Sequence, residues 1–495
     1  MRRWPYGALA GLLAGAAGVA AGQLAASVTR PQSSPLVTVG ETMIDATPTP
    51  LKEFAVQHFG TNDKHVLLSG IGLTLAAFAI VVGIVATRRF RLGLAGVALF
   101  GVIGVAAAAS RPTFRFTDVA PAIIAGAVAV AVLWLLLKEP AEAGAESLDR
   151  RRFQRTGGLI ALGVVLVGAG GDVITNVRSG SIAKLRAALR LPAPADPGPA
   201  PVTAPGFYTP TNAFYRVDTA LTIPQINSDD WSLKIHGMVD RPMTLRLDQL
   251  LKRPLIQRDI TLNCVSNEVG GPYVGTARWL GVPLAALLTE AGVHPGADQV
   301  VARSIDGMTI GTPVATIMDG RPAMLAVGMN GGPLPFEHGF PVRMLTPGLY
   351  GYVGACKWLV DLEVTTFAAY DPYWAKRGWS KIAPVKTASR IDRPASLARV
   401  PVGTVRVQGV AWAQERGIAK VEVQVDAQPW RTATLAPVPS IDTWVQWTYP
   451  WPAAKGLHQL RVRATDKTGA VQPEKRVGTF PNGSTGWHTV SVTVS

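Results

Sequence analysis

The chain is 495 residues long, with 48 Lys and Arg against 33 Asp and Glu and a formal charge of +15. That length has room for about two to four domains. The basic residues are dispersed, several of them in short loops between apolar runs, and no nucleic-acid motif accompanies them. The charge therefore speaks for membrane topology and against a phosphate-binding stripe. Two cysteines in so long a chain exclude a disulfide framework.

Residues 1 to about 175 are dominated by Ala, Gly, Val, Leu and Ile, and five stretches in them approach or exceed the about 20 apolar residues that cross a bilayer. They cover 7–28, 66–86, 92–109, 119–137 and 157–174. The first, preceded by Arg2 and Arg3, resembles a signal peptide. Followed by four further spans, it reads better as the signal-anchor of a multi-pass protein. Arg88, Arg89 and Arg91 lie between spans two and three, and Lys138, Arg150, Arg151, Arg152 and Arg155 between spans four and five. Placing these loops and the N-terminus in the cytoplasm satisfies the positive-inside rule. The loop 29–65 and the short one around Arg111 and Arg115 then lie outside, as does everything after about residue 175.

All seven histidines fall outside the spans, His58 and His65 in or beside the first outer loop and the other five in the soluble half. A transmembrane b-type haem needs His ligands on facing helices, so no haem is expected there. Asp172, near the end of span five, reads as an interfacial residue, with an intramembrane polar site as the alternative.

Residues 176–205 form a linker whose end, PAPADPGPAPVTAP over 192–205, has the composition of an extended, semi-rigid tether. From 206 to 385 the pattern is mixed α+β. Residues 232–239 alternate as a strand, 259–264 form a β-rich run ending on Cys264, and 284–291 form a short amphipathic helix closed by Gly292. From 386 to 495 strand signals recur at 405–410, 420–425, 444–448, 459–464 and 489–494, which suggests an immunoglobulin-like β-sandwich. Cys264 closes its strand and enters the polar, Gly-rich loop Val265-Ser266-Asn267-Glu268-Val269-Gly270-Gly271. There a thiolate is well placed as a soft metal ligand, although a lone Cys is also an ordinary small core residue.

Three blocks carry a resemblance. Ile260-Thr261-Leu262-Asn263-Cys264-Val265-Ser266-Asn267 is followed by Ala277-Arg278-Trp279-Leu280-Gly281-Val282-Pro283-Leu284, a Trp-x-Gly-x-x-Leu pattern read as opening a helix. Met329-Asn330-Gly331-Gly332-Pro333-Leu334-Pro335-Phe336-Glu337-His338-Gly339-Phe340-Pro341-Val342-Arg343 continues through Pro347-Gly348, Gly351 and Lys357-Trp358. Upstream stands Tyr208-Thr209-Pro210-Thr211-Asn212-Ala213-Phe214-Tyr215-Arg216. In this order they resemble the sulfite oxidase family of molybdopterin-dependent oxidoreductases over roughly residues 205–495, the final sandwich being similar to that family's dimerisation domain. The resemblance implies a multi-pass α-helical membrane region followed by a sulfite-oxidase-type molybdopterin domain and the β-sandwich.

The resemblance also implies roles. Cys264 is the molybdenum ligand. Arg343 and Lys357 serve the pterin phosphate, with backbone donors from Ala355 and Cys356. Asn212, Tyr215, Arg216 and His338 make further pterin contacts, and Ser304 or Asp306 another. Cys264 held by metal and Cys356 beside the pterin are not expected to form a bridge. A domain that folds around its cofactor before export needs a twin-arginine signal, which Arg150-Arg151-Arg152-Phe153-Gln154-Arg155 resembles; the alternative is an ordinary basic loop.

Two departures bear on the substrate. The family's sulfite-oxidising members carry arginines just after the ligand Cys, where this chain has Asn267-Glu268-Val269. A carboxylate there repels a dianion. In Tyr373-Trp374-Ala375-Lys376-Arg377-Gly378-Trp379 a Trp stands where the family has an active-site Tyr. The expected substrate is therefore a small, non-dianionic one such as a sulfoxide, with sulfite oxidation, or a non-catalytic binding module, as alternatives. Without a C-x-x-C-H haem motif or an iron–sulfur cysteine cluster, electrons are expected to pass to or from a separate partner, a quinone-linked membrane protein or a soluble carrier.

Overall fold

The computed structural model describes residues 4–48, 51, 63–111, 114–137 and 150–495. Arg2, Arg3, His58 and Lys138, and the side chains of His65 and Arg150, lie outside the described residues. The chain divides into two compact units, Met1–Lys184 with Thr219–Pro224, and Leu185–Asp218 with Gln225–Ser495.

The first unit is helical: α1 (Trp4–Val28), α2 (Pro35–Ala46), α3 (Asp63–Arg88), α4 (Phe90–Ala109), α5 (Ala120–Leu137) and α6 (Arg150–Ala188). Five of the described helices are long and apolar enough to cross a membrane, and they coincide with the five expected stretches. Small residues let α1 and α3 approach backbone to backbone. A Cβ at Gly11 would sit 1.9 Å from the Ala79 carbonyl oxygen. Polar groups near the helix ends are paired, Arg30 with Asp118 at 2.8 Å and Arg111 with Glu41 at 2.9 Å.

The structure differs from the sequence reading at two places here. The outer segment 29–65 is not all loop, because α2 forms within it with Pro35 in its first turn, where the missing N–H costs nothing. Span five runs on to Ala188 instead of stopping near 174, since its polar extension holds no proline before Pro192.

The tether is corrected as well. Residues 192–205 have little regular structure but are bound along the second unit. Asp196 pairs with Arg258 at 2.5 Å and accepts from the Gln257 N–H at 2.8 Å through its carbonyl. Arg278 Nη2 donates to the carbonyls of Pro197 and Pro199 at 2.9 and 2.8 Å. The segment's prolines offer no N–H, so few backbone bonds can hold it; the Asp196 N–H on the Leu255 carbonyl and Arg278 on the Pro197 and Pro199 carbonyls do so.

In the second unit the strands are β1 (Ser232–Gly237), β2 (Met243–Arg246), β3 (Ile256–Asn263), β4 (Val274–Pro283), β5 (Gln299–Ser304), β6 (Thr309–Pro313), β7 (Met324–Met329), β8 (Gly332–Pro333), β9 (Arg343–Leu345) and β10 (Leu359–Thr365). One sheet has the order β2-β1-β10-β5-β6, with β1 and β10 parallel; another has β3-β4-β7-β8, with β9 also on β7. The helix Leu284–Ala291 ends on Gly292 at φ 72°, as its glycine stop predicts. Trp279 and Gly281, however, do not open that helix. They lie on β4, which pairs with β7 up to Pro283, and a Cβ at Gly281 would meet the Leu325 carbonyl at 2.4 Å.

The C-terminal region adds β11 (Ala388–Arg393), β12 (Arg399–Val400), β13 (Gly403–Trp412), β14 (Ile418–Val425), β15 (Arg431–Thr432), β16 (Thr434–Leu435), β17 (Val445–Ala453), β18 (Gly456–Asp466) and β19 (His488–Val494). They form two sheets, β11-β13-β17-β16 and β12-β19-β18-β14-β15. Alternation decides which side is buried: Leu460, Val462 and Ala464 of β18 and Val421 and Val423 of β14 face a core shared with Val407, Trp447 and Trp451 of the other sheet.

Candidate functional site

Strand β3 places Cys264. Its even-numbered residues Ile260 and Leu262 pack with Phe214, Trp279 and Phe340. The Cys264 N–H donates to the Tyr273 carbonyl at 3.0 Å, which carries the β3–β4 pairing one residue past the strand. The thiol is buried and free, like that of Cys356. Burial pushes its pKa up, opposed by hydrogen bonds from Ser266 and by the Lys357 ammonium.

Arg343 stands at the start of β9 and is only 6 % exposed. Its Nη1 donates to the His338 carbonyl at 3.1 Å and its guanidinium carbon lies 5.1 Å from the centre of the Trp279 ring. No carboxylate pairs with it among the described residues, and its Nε–H has no partner. Burial pulls its pKa down to about 10. Lys357 donates to Asp218 at 2.9 Å, and Asp218 also pairs with Arg216 at 3.3 Å. The His338 ring Nε2 donates to the Thr211 carbonyl at 3.0 Å, which fixes the proton on that nitrogen.

Tyr215 stacks on Phe214 at 5.3 Å, and its phenol pKa is raised by burial and by the nearby Cys264. Burial also raises the Cys356 thiol, with Asp306 adding to the effect and Arg343 opposing it. Ser304 ends β5 and Asp306 lies in the turn that follows, closed by the Gly307 N–H on the Ser304 carbonyl at 3.0 Å; Ser304 Oγ is buried without a hydrogen-bond partner. Burial pushes the Asp306 carboxyl up, while Lys357 counters. These shifts tie Cys264, Tyr215, Arg343, Cys356, Lys357 and Asp306 into one electrostatic neighbourhood, with His338 beside Arg343.

Asn212 is solvent-exposed on the turn Thr211–Ala213, and it is the neighbouring Thr211 carbonyl that reaches His338. The Ala355 N–H donates to the Gly351 carbonyl at 2.9 Å, closing a helical turn. Trp279 and Asp218 were missed as site residues. Trp279 carries a signal in the sequence, as the Trp of the Trp-x-Gly-x-x-Leu pattern, but that pattern points to a helix start. Asp218 carried none, its Lys357 partner being 139 residues away.

The residues present fit a molybdopterin. A buried guanidinium with no carboxylate is costly on its own, and an anionic group offsets that cost by accepting the Nε–H. Burial raises the Cys264 thiol and the Lys357 ammonium opposes this, so a bound cation would be needed to hold it as the soft thiolate donor that a molybdenum takes.

The histidines give the cofactor-free protein a pH signature. Burial, then neighbouring arginine, pulls both His338 and His488 down to about 4. Unfolding returns each to about 6.5, so the unfolded state takes up protons between these values. The stability is present above about pH 6.5 and lost as pH falls toward 4, by about 3 kcal/mol from His338. Thermal unfolding across this window should show the loss, and His338→Gln should flatten the profile.

Comparison with known proteins matches residues 220–374 to a family described as oxidoreductase molybdopterin binding domain. Mitochondrial sulfite oxidase of Drosophila melanogaster is 30 % identical over 349 residues, covering 59 % of this chain and 60 % of the relative. The Homo sapiens protein of that name is 28 % identical, covering 61 % of this chain and 64 % of the relative. Sulfite oxidase of Gallus gallus is 29 % identical, covering 59 % and 73 %. The chain thus spans about 60 % of the length of the first of these relatives. The crystal structure of the sulfane dehydrogenase SoxCD from Paracoccus pantotrophus shares the fold, with a TM-score of 0.53, 24 % identity, and coverage of 59 % of this chain and 82 % of that one. Residues 220–374 thus carry an oxidoreductase molybdopterin binding domain, and the matches support a molybdopterin oxidoreductase of the sulfite oxidase type.

Proposed function

We propose that this is a membrane-anchored, extracytoplasmic oxidoreductase in which Cys264 ligates molybdenum and the substrate is a small, non-dianionic oxygen donor such as a sulfoxide. The observation that carries the reading is the buried Arg343, unpaired with any described carboxylate, in one neighbourhood with the buried Cys264 thiol. A pterin-held molybdenum, when bound, supplies two-electron oxygen-atom transfer. The chain supplies the rest: Arg343 and Lys357 neutralise the cofactor's phosphate, His338 presents a neutral ring, and Cys264 provides the thiolate. Tyr215, Arg216, Ser304, Cys356 and the turn bearing Asn212 complete the pterin's surroundings.

Reducing a sulfoxide consumes two electrons and two protons and yields sulfide and water. The electrons come from a separate carrier, quinone-linked or soluble. The five helices serve as anchor, the segment 150–155 as twin-arginine signal, and the two-sheet C-terminal region as an immunoglobulin-like domain for homodimer contact.

Glu268, exposed on the ligand loop, supports a substrate without a double negative charge. One observation favours sulfite instead: Arg390 and Arg476 of the C-terminal region both reach that loop. Steady-state assays of the loaded protein should show sulfoxide reduction with kcat/KM at least about tenfold above that for sulfite oxidation, about 1.4 kcal/mol in transition-state binding. Robust sulfite turnover would reverse the substrate assignment. A folded protein free of molybdenum from a molybdenum-replete host would favour a binding module.

A further inference from the structure

The loop that follows Cys264 is held from one side by the C-terminal region. The Asn267 carbonyl accepts from Ser484 Oγ at 2.6 Å, the Val269 carbonyl from Arg476 Nη2 at 3.1 Å and the Gly271 carbonyl from Arg390 Nη1 at 2.7 Å. Alternate carbonyls along the loop thus point the same way, each into a side chain more than 110 residues distant. Between them Gly270 adopts φ 82° with its missing Cβ toward the His488 ring; a Cβ there would lie 2.3 Å from Nε2.

The loop's own bonds complete the brace. The Asn267 N–H donates to the Cys264 carbonyl at 3.1 Å, the Gly271 N–H to Glu268 at 2.8 Å and the Tyr273 N–H to Asn267 Oδ1 at 2.8 Å. Cys264 is clasped at both backbone groups by this closed turn, its N–H on the Tyr273 carbonyl and its carbonyl under the Asn267 N–H. Groups that orient a metal ligand from behind affect metal affinity and spectrum although they do not touch the metal.

We propose that Ser484, Arg476 and Arg390 are positioning residues that hold the Val265–Gly271 loop and, through the backbone bonds of Asn267 and Tyr273 to Cys264, fix the direction of the Cys264 sulfur. The C-terminal region thereby sets the second shell of a ligand that the preceding domain provides. Two of the three braces are cations spent on peptide carbonyls. The inference rests on Cys264 being the metal ligand.

The test uses the full chain. Amide hydrogen exchange at Asn267, Gly271 and Tyr273 is measured in the cofactor-free protein for wild type, Ser484→Ala, Ser484→Thr and Arg476→Gln. The loaded forms are then compared by molybdenum content and by the spectrum of the thiolate–molybdenum chromophore. We expect Ser484→Ala and Arg476→Gln each to speed exchange at these amides by about five- to tenfold, in line with one lost hydrogen bond. Ser484→Thr should restore protection. The loaded variants should keep their molybdenum yet show a shifted chromophore, which a purely structural role would leave alone. Unchanged exchange in both variants overturns the proposal. Faster exchange with an unshifted chromophore on full molybdenum overturns the link to the sulfur. Wild-type protein that holds no molybdenum at Cys264 defeats the ligand assignment instead, while the exchange data still report on the brace. Should Arg476→Gln fail to fold, the Ser484 pair decides alone.

Discussion

Cys264→Ser is expected to bring molybdenum content from near one per chain to background and to cut turnover by about a thousandfold or more, about 4 kcal/mol of barrier. A serine hydroxyl has nearly the shape of the thiol, but its proton is not given up near neutral pH, so the soft anionic donor is lost while the strand is not. The burial of the site limits collateral effects: Cys264 packs beside Leu262 and Val265 at the end of a strand paired along its whole length with β4. A buried hydroxyl in place of sulfur should cost about 1–3 kcal/mol of stability, which thermal unfolding separates from the loss of metal. Metal analysis and assay on the same preparation check both halves. A variant with full molybdenum and near-normal turnover would remove Cys264 from the centre.

Arg343→Met should act in opposite directions on the two forms of the protein. In the cofactor-free chain the guanidinium is buried, with its pKa held down to about 10, and no described carboxylate compensates it. Replacing such a charge with an apolar side chain of similar length often stabilises by about 1–4 kcal/mol. The bond to the His338 carbonyl and the contact with Trp279 are lost and offset part of this gain. The unloaded variant should therefore melt at the wild-type temperature or above it. Cofactor retention should fall by roughly 30- to 4,000-fold, about 2–5 kcal/mol, because a buried phosphate loses its main cation. Thermal unfolding of unloaded protein and molybdopterin content after dialysis supply the two measurements. A variant less stable when empty and unimpaired in retention would show that Arg343 has a packing role only.

Much of the architecture was legible because it rests on local pattern. Apolar runs of membrane-spanning length marked the long helices, and a glycine after 284–291 marked a helix end now found at Gly292. Period-two alternation located β14 and β18 to within a few residues. Weak or long-range patterns were not legible. Strands such as β12 and β15 span two residues each and exist only because a neighbour pairs with them. The helix α2 is too short and polar to announce itself beside true spans. At the site, Cys264, Arg343 and His338 could be named from ordered blocks. Their physical state could not, because it depends on Trp279 lying beneath Arg343 and on Thr211, 127 residues from His338, offering its carbonyl. The docking of the proline-rich segment was misread for a similar reason. Composition reports stiffness, while whether a stiff segment is bound depends on donors such as Arg278 elsewhere in the chain.

That docked segment matters for anyone cutting the chain. A soluble fragment begun at residue 206, where the composition changes, would strip Asp196 from Arg258 and from its bridge to Ile256, and leave Arg278 without the Pro197 and Pro199 oxygens. The start of strand β3, at Ile256 and Gln257, would then lose its neighbour. A fragment begun at Leu185 keeps that edge covered, and retains Arg186 on the Leu334 carbonyl. The severable boundary of the catalytic portion lies some twenty residues earlier than the change in composition suggests.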